Sequence, residues 1–378
     1  MVRTHTMATA SPAEVLLDSV WKRQFRRRLL AWFAGHQRDL PWRRTGDPYR
    51  IWLSEIMLQQ TQVVTVIPYY ERFLSAFPDM HALAAAPERD VLKLWEGLGY
   101  YRRARQLHRA AQVLVSEYAG EFPRDLDAVR GLPGIGRYTA GAIVSIAFDV
   151  PAPILEANTV RLLSRLLAYE GDPTSAAGQR LLWQTAETLL PRRQTGAFNQ
   201  ALMELGSLIC TPRQPACDRC PVQSLCGARR AGLEQELPRQ RSKTPSTAVR
   251  EASVVIWRRG RVFLRQHSEG ERWAGLWDFP RFAVSGARAA KLAAELTSGT
   301  CRLTGIAIEP GSRFAVIKHG VTRFRITLEC FSARFVGGNP SKAPSEHRRW
   351  LHPEELADYP LSTTGRKISR LLVSGAGQ

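Results

Sequence analysis

Cys210-Thr211-Pro212-Arg213-Gln214-Pro215-Ala216-Cys217-Asp218-Arg219-Cys220-Pro221-Val222-Gln223-Ser224-Leu225-Cys226 sets four cysteines at spacings of six, two and five intervening residues. Thiolate sulfur is a soft donor that suits zinc or iron–sulfur centres, and four cysteines are the usual complement of a [4Fe–4S] cluster. Structural zinc more often uses two separated Cys-x-x-Cys pairs, whereas Cys217 and Cys220 form the single such pair here. The spacing predicts one metal-binding loop and favours the iron–sulfur cluster, although ligand type alone does not fix the metal. Four unrelated buried thiols are a poorer reading, because the chain has 6 cysteines in 378 residues and these four fall within seventeen positions.

Around this loop the composition is that of a nucleic-acid protein inside the cell. Lys and Arg number 53 against 34 Asp and Glu, a formal charge of +19 with a pI near 10.4, so the surface field attracts polyanions without specifying a sequence. Two or three domains are expected at this length, and 44% hydrophobic content supports globular cores. No apolar stretch approaches the roughly 20 residues of a membrane span. Cys301 and Cys330 do not suggest a disulfide framework, which fits a reducing compartment. The first seventeen residues read as a disordered tail, with Met7 a second possible start. The basic run Lys22 to Arg28 resembles a transit peptide in composition, but Val20, Phe25, Leu29, Leu30 and Phe33 recur at helical intervals. The run is better read as the wet face of a helix.

Three stretches follow from periodicity. From 18 to 226 the apolar residues recur at three- and four-residue intervals, as in Val91, Leu92, Leu94 and Trp95 or Leu162, Leu163, Leu166 and Leu167, which predicts an all-helical domain. Prolines at 41, 48, 123, 133, 151, 153 and 173 mark the breaks between helices. Residues 227–248 are polar, charged and proline-bearing, and read as a linker. Residues 249–378 change period. Ser253 to Trp257 and Val262 to Gln266 flank an Arg-Arg-Gly-Arg turn, Ala289 to Leu296 is helical, and Phe314 to Ile317 and Phe324 to Phe331 are strand-like, which predicts a small α/β domain.

Leu132-Pro133-Gly134-Ile135-Gly136-Arg137-Tyr138 stands just ahead of a helical run, Thr139 to Phe148. Gly134 and Gly136 let backbone amides approach an anion, and the helix N-terminus adds its positive end. Alone this is a tight turn; on so basic a chain it becomes a grip for a DNA phosphate. Together with the cysteine loop it resembles the helix-hairpin-helix DNA glycosylases of the endonuclease III superfamily. Leu40-Pro41-Trp42-Arg43, Trp52 to Val63, Gly97-Leu98-Gly99-Tyr100-Tyr101 and Phe198-Asn199-Gln200 are similar to the MutY-type adenine DNA glycosylases within it. The resemblance implies a six-helix module over 41–148 and an iron–sulfur module built from 18–40 and 149–226. It also implies that Cys210, Cys217, Cys220 and Cys226 hold the [4Fe–4S] cluster in a structural and DNA-docking role.

Glu55 is a lone carboxyl among Ile51, Trp52, Leu53, Ile56, Met57 and Leu58, and desolvation raises a carboxyl pKa toward the range of a proton donor. By pattern alone it could equally be a surface residue on a wet stripe with Gln59 and Gln62. The resemblance implies the donor, since adenine leaves readily only when it leaves neutral. It also implies a carboxylate beside the sugar cation, in a Leu-Asp-Gly-Asn pattern. This chain has Leu155-Glu156-Ala157-Asn158 instead. Glu156 is the expected substitute, with a helix cap as its alternative reading and Asp149 as a weaker replacement. Asn158 is expected to hold the carboxylate or the water. Strand-cutting relatives carry Lys where Tyr138 stands, and tyrosine cannot form a Schiff base, so hydrolysis without efficient lyase chemistry is expected. The Tyr138 hydroxyl would support the carboxylate or the sugar.

Base extrusion needs a group to fill the gap. The resemblance gives this part to Tyr100 and Gln60, and lines the adenine pocket with Trp42 and Gln200. Trp273 to Pro280 resembles the signature turn of Nudix domains, yet Ser285 to Thr300 holds Glu295 as its one acidic residue, too few oxygen ligands for magnesium. A lesion-binding module is expected rather than a pyrophosphatase. The family's Phe-Ser-His reading loop is replaced by Val321-Thr322-Arg323 after His319 and Gly320, leaving Thr322 to supply the hydroxyl. The expected protein is a monomeric, monofunctional glycosylase of the bacterial cytoplasm, acting at the nucleoid on double-stranded DNA with adenine opposite 8-oxoguanine or guanine. A thymine–guanine mismatch glycosylase and a catalytically impaired lesion binder are the alternatives.

Overall fold

The computed structural model describes residues 18–239, 246–286, 288–338 and 347–375. The expected tail, 1–17, lies outside them. The chain forms two compact units, one of Met1–Ala84 with Arg109–Ser242, the other of Ala85–His108 with Lys243–Gln378.

The first unit is helical. Helix α1 (Ser19–His36) starts at Asp18, whose carboxylate accepts from the Val20 amide, and buries Phe25, Leu29 and Phe33, one residue per turn on a single stripe. Arg23 and Arg27 face solvent as the basic run predicts, but Arg26 is spent on the carbonyls of Thr188, Leu189 and Leu190 at 2.8–3.0 Å. A guanidinium at that helix end satisfies carbonyls left without partners. α2 (Pro48–Leu58) has Asp47 as its cap and Pro48 at its first position, and from Tyr49 to Met57 nearly every side chain is buried. α3 (Val63–Ala76) and α4 (Met80–Ala85) follow. α5 (Glu88–Leu94) belongs to the second unit, α6 is Arg102–Tyr118, and α7 (Leu126–Gly131) turns through Leu132–Gly136 into α8 (Arg137–Phe148).

α9 (Ala157–Leu166), α10 (Ala176–Leu189) and α11 (Thr195–Leu208) share a core with α1. Val222 and Leu225 of the cysteine loop plug its end. Close approach of α9 and α11 depends on Gly206, where a Cβ would sit 2.8 Å from the Asn158 Cβ.

The expected linker, 227–248, carries structure at both ends: α12 (Gly227–Ala231) and the start of β1 (Thr247–Arg258). Ala228 is buried and Arg229 pairs with Asp218 and Glu234, so this polar sequence is fastened to the cysteine loop. Ala85–His108, inside the expected six-helix module, groups with the C-terminal residues.

In the second unit the sheet is mixed, as the change of period predicts. Its order is β3 (Trp277–Asp278), β2 (Arg261–Gln266), β1, β6 (Phe324–Gly338), β5 (Ile306–Val321). β1 runs parallel to β6, β4 (Arg281–Ala283) pairs with β1, and β7 (Arg348–Leu351) with β2. Alternation along β1 sends Ala252, Val254 and Ile256 to the face covered by α13 (Ala289–Thr304), through its Leu296. Val255 faces the other side with Ile368 and Leu372 of α14 (Thr363–Val373).

Candidate active site

A cleft of about 650 Å³ in the helical unit is lined by Trp42, Glu55, Tyr138, Glu156, Asn158 and Gln200, which the sequence had assigned to chemistry or to the base. Arg38, Arg43, Met203 and Glu204 complete its polar end, and Thr61, Gln62, Val63 and Val64 form one margin. The elements that meet here are far apart in sequence: the Leu40–Arg43 turn, α2, α8 and the facing ends of α9 and α11.

Glu55 is 6% exposed, not on a wet stripe. Its helix is buried on nearly every side, and burial pushes the carboxyl up to about 7, with the charge of Glu156 adding to the rise and the Tyr138 hydroxyl and Arg43 opposing it. Tyr138 donates to Glu55 Oε2 at 2.6 Å and touches Met203 Sδ at 3.3 Å. The expected support of a carboxylate by Tyr138 thus falls on the proton-donor candidate. Tyr138→Phe removes a hydrogen bond that favours the ionised form, so the Glu55 pKa rises. The high-pH limb of a single-turnover rate profile should move to higher pH, whereas a purely structural tyrosine would lower the rate at every pH without moving the limb.

Glu156 is the helix cap that its alternative reading expected. It caps α9, accepting from the Asn158 amide at 2.8 Å and the Thr159 amide at 2.9 Å, while Thr159 Oγ1 accepts from the Glu156 amide. It also lines the cleft. Burial raises its pKa above the ordinary carboxyl value, and the two amides and Arg161 oppose that rise. Asp149 is no replacement. It accepts from the Gln194 and Gly196 amides at the start of α11, at 2.9 and 3.2 Å, and is absent from the cleft lining.

The sequence reading missed two groups of the cleft and its surroundings. Glu204 accepts from Arg38 at 2.6 and 2.9 Å and from both terminal nitrogens of Arg43 at 2.9 Å. Burial opposes its ionisation, yet these bonds bring its pKa down to about 2. The available signal was helical spacing, since Glu204 lies four residues after Gln200 on α11. Arg161 is the second. It donates to Asn158 Oδ1 at 2.8 Å, to the Gly206 carbonyl at 2.7 Å and to the Cys210 carbonyl at 2.7 Å, joining the cleft to the first cysteine. Arg161 thus fixes the Asn158 side chain through its oxygen, and the Asn158 side chain in turn hydrogen-bonds Glu156, favouring the carboxylate's anion.

Cys210, Cys217, Cys220 and Cys226 line one cavity with Leu162, Leu166, Ile209 and Val222. Four thiols around one apolar hollow are a donor set that fits a [4Fe–4S] cluster, whose usual complement is four cysteines. Arg165, fully buried, donates to Cys210 Sγ at 3.3 Å and to the Thr211 carbonyl at 2.8 Å, the kind of contact that orients a metal ligand.

The remaining expected residues are not in the cleft lining. Gly134 (φ 76°) and Gly136, the cap of α8, form the hairpin turn, and Gln60 is exposed with φ 56° just beyond α2. Tyr100 and Thr322 belong to the second unit. Tyr100 is 52% exposed; Thr322 sits at the exposed tip of the β5–β6 hairpin, where its hydroxyl donates to the Val321 carbonyl at 2.7 Å. Glu295, the lone acid of the Nudix-type helix, is consumed by Ser285 and the Gly286 amide.

A turn between two helices, a cleft with two carboxylates and a cysteine loop define a base-excision DNA repair protein, and the family model described as HhH-GPD superfamily base excision DNA repair protein matches residues 53–188. The iron-sulfur binding domain of endonuclease III matches 210–226, and the NUDIX domain 252–371. Adenine DNA glycosylase of Rattus norvegicus is 35% identical, over 96% of this chain and 80% of the rat protein. That of Buchnera aphidicola subsp. Schizaphis graminum is 37% identical, over 68% of this chain and 75% of its own. The solved structure of a thermostable thymine-DNA glycosylase is 32% identical and matches with a TM-score of 0.52, over 56% of this chain and 98% of that one. The chain belongs to the adenine DNA glycosylase family, and its cofactor is a [4Fe–4S] cluster.

Proposed function

We propose that the protein is a monofunctional DNA glycosylase that hydrolyses the N-glycosidic bond of adenine opposite 8-oxoguanine or guanine in base excision repair. The observation that carries this reading is a pair of carboxyls in one cleft with different tasks. Glu55, with a pKa of about 7, keeps a transferable proton near neutrality, whereas Glu156, though also raised by burial, receives two helix-terminal amides that oppose the rise and favour its anion.

With an extruded adenine in the cleft, the Glu55 proton passes to a ring nitrogen as the C1′–N bond breaks and its electron pair leaves with the base. Glu156 stabilises the cationic sugar, water adds to C1′, and the proton it sheds returns to the Glu55 carboxylate. The products are adenine and an abasic site. Tyr138 offers no amine to that site, so strand cleavage is not expected. Trp42 and Gln200 face the base, Gln60 and Tyr100 fill the gap in the duplex, Gly134 and Gly136 hold a phosphate, and Thr322 faces the opposite strand's lesion. Cys210, Cys217, Cys220 and Cys226 ligate the cluster, which supplies rigidity and a basic docking loop rather than a hydrolytic step. The protein acts as a monomer in the bacterial cytoplasm, at the nucleoid. No helix among the described residues is long and apolar enough to cross a membrane.

The likeness to a thymine-DNA glycosylase supports a second reading, thymine release from thymine–guanine mismatches, though that structure matches 56% of this chain. Single-turnover assays on adenine opposite 8-oxoguanine, adenine opposite guanine and thymine opposite guanine separate the two. Adenine release, fastest opposite 8-oxoguanine, is expected. Thymine release at a comparable or greater rate would overturn the assignment.

A further inference from the structure

Ala85–His108 is flanked in sequence by the helical unit, yet it forms one compact body with the C-terminal domain. Within it, Gly97 (φ 102°), Gly99 (φ 73°) and Tyr100 (φ 46°) make a turn that leaves Tyr100 half exposed. Glycine adopts such angles freely, but tyrosine in the left-handed region is strained and persists only where its surroundings hold it. The inner side is held by Trp95 Nε1, which donates to the Gly99 carbonyl at 3.1 Å, and by Tyr101 Oη, which accepts from the Gly97 amide at 3.2 Å.

The outer side is held from the far end of the chain. Arg366, on α14, grips Glu96 through Nε at 2.5 Å and Nη2 at 2.9 Å, and the Leu361 amide adds a third donor at 3.3 Å. Both side chains are largely buried, 15% and 14% exposed, and Arg366 is itself fixed by the Leu356 and Tyr359 carbonyls at 2.8 and 2.7 Å. A planar fork with two parallel bonds fixes direction as well as distance. A second attachment lies at Gly275, where a Cβ would stand 3.0 Å from Leu92 Cδ1 on α5.

We infer that the C-terminal domain sets the position of Tyr100 through the Arg366–Glu96 pair, making Arg366 a positioning residue for base extrusion. The inference rests on the reading of Tyr100 as the group inserted into the duplex. Its consequence is that the domain bearing the Thr322 hairpin carries the inserting tyrosine as well, so lesion contact and insertion move as one body.

The test uses the full, cluster-loaded chain and a duplex with 2-aminopurine at the adenine position, whose fluorescence rises on unstacking, alongside single-turnover adenine release opposite 8-oxoguanine. Arg366→Met should lower the extrusion amplitude and the rate by between about ten- and a hundredfold, the scale of an ångström's misplacement. Arg366→Lys, which keeps a cationic donor for Glu96 and for the Leu356 and Tyr359 carbonyls, should recover part of that loss, which a misfolded variant would not. Added to Tyr100→Ala, Arg366→Met should cost nothing further. An equal loss in both backgrounds, or none in the native one, would overturn the inference while leaving Tyr100 in its role. Tyr100→Ala with unchanged extrusion would remove that role and the inference with it.

Discussion

Glu55→Gln should lower single-turnover adenine release by about 10³-fold, within the range that general acids supply, while duplex binding stays within a few-fold. Glutamine keeps the shape of the side chain and can still accept from Tyr138, so packing in α2 is preserved and what is lost is the proton. A variant that retains most of its rate would exclude Glu55 as the donor. The pH profile of the native protein should bear the same mark. The donor must be protonated, its pKa is about 7, and above that value the rate should fall by about tenfold per pH unit. At low pH the rate should also fall, because Glu156 must be ionised and burial has raised its pKa above the ordinary carboxyl value. The two limbs belong to the interacting pair rather than to either residue alone. Glu156→Gln should relieve Glu55 of a neighbouring negative charge and so move the high-pH limb downward, opposite in sign to Tyr138→Phe.

Glu156→Gln should itself cost on the order of 10²–10³ in rate, comparable to removing one preorganised electrostatic contact from a transition state. It should also loosen α9 by about 1 kcal/mol, since an amide nitrogen would face one of the two backbone donors that the carboxylate now satisfies. Thermal unfolding separates that loss from the catalytic one. Glu156→Asp restores the shorter arm of the family pattern and keeps both the charge and a good capping residue. Its rate should lie within about tenfold of the native chain, because the amides already hold the longer carboxylate at the cleft wall. A rise of more than about a hundredfold would mean that the native carboxylate is misplaced, and that the chain binds lesions without excising efficiently.

Much of this site was readable before any coordinates. The cysteine spacing, the Gly134–Gly136 turn and the switch of period after residue 248 each reside in a short window, where local geometry and ligand chemistry act. Glu55 was half readable. Its apolar neighbours suggested desolvation, but the same pattern allowed a wet stripe, and the choice depended on how completely α8 and α3 cover α2. Glu156 was posed as catalyst or cap, and folding makes it a cap whose carboxylate also lines the cleft, because the cleft is built on the first turn of α9.

What escaped was everything settled by pairs distant in sequence. Tyr138 and Glu55 are 83 residues apart, Glu204 and Arg38 are 166, Arg161 and Cys210 are 49, and Arg366 and Glu96 are 270. The chain alone determined the kinds of group available: soft thiolates, a glycine turn ahead of a helix, two carboxyls and a tyrosine in place of an amine. Tertiary structure decided which of them meet and what each one's pKa becomes. Burial and charge pairing are properties of the packed interior, and no local window of residues contains them.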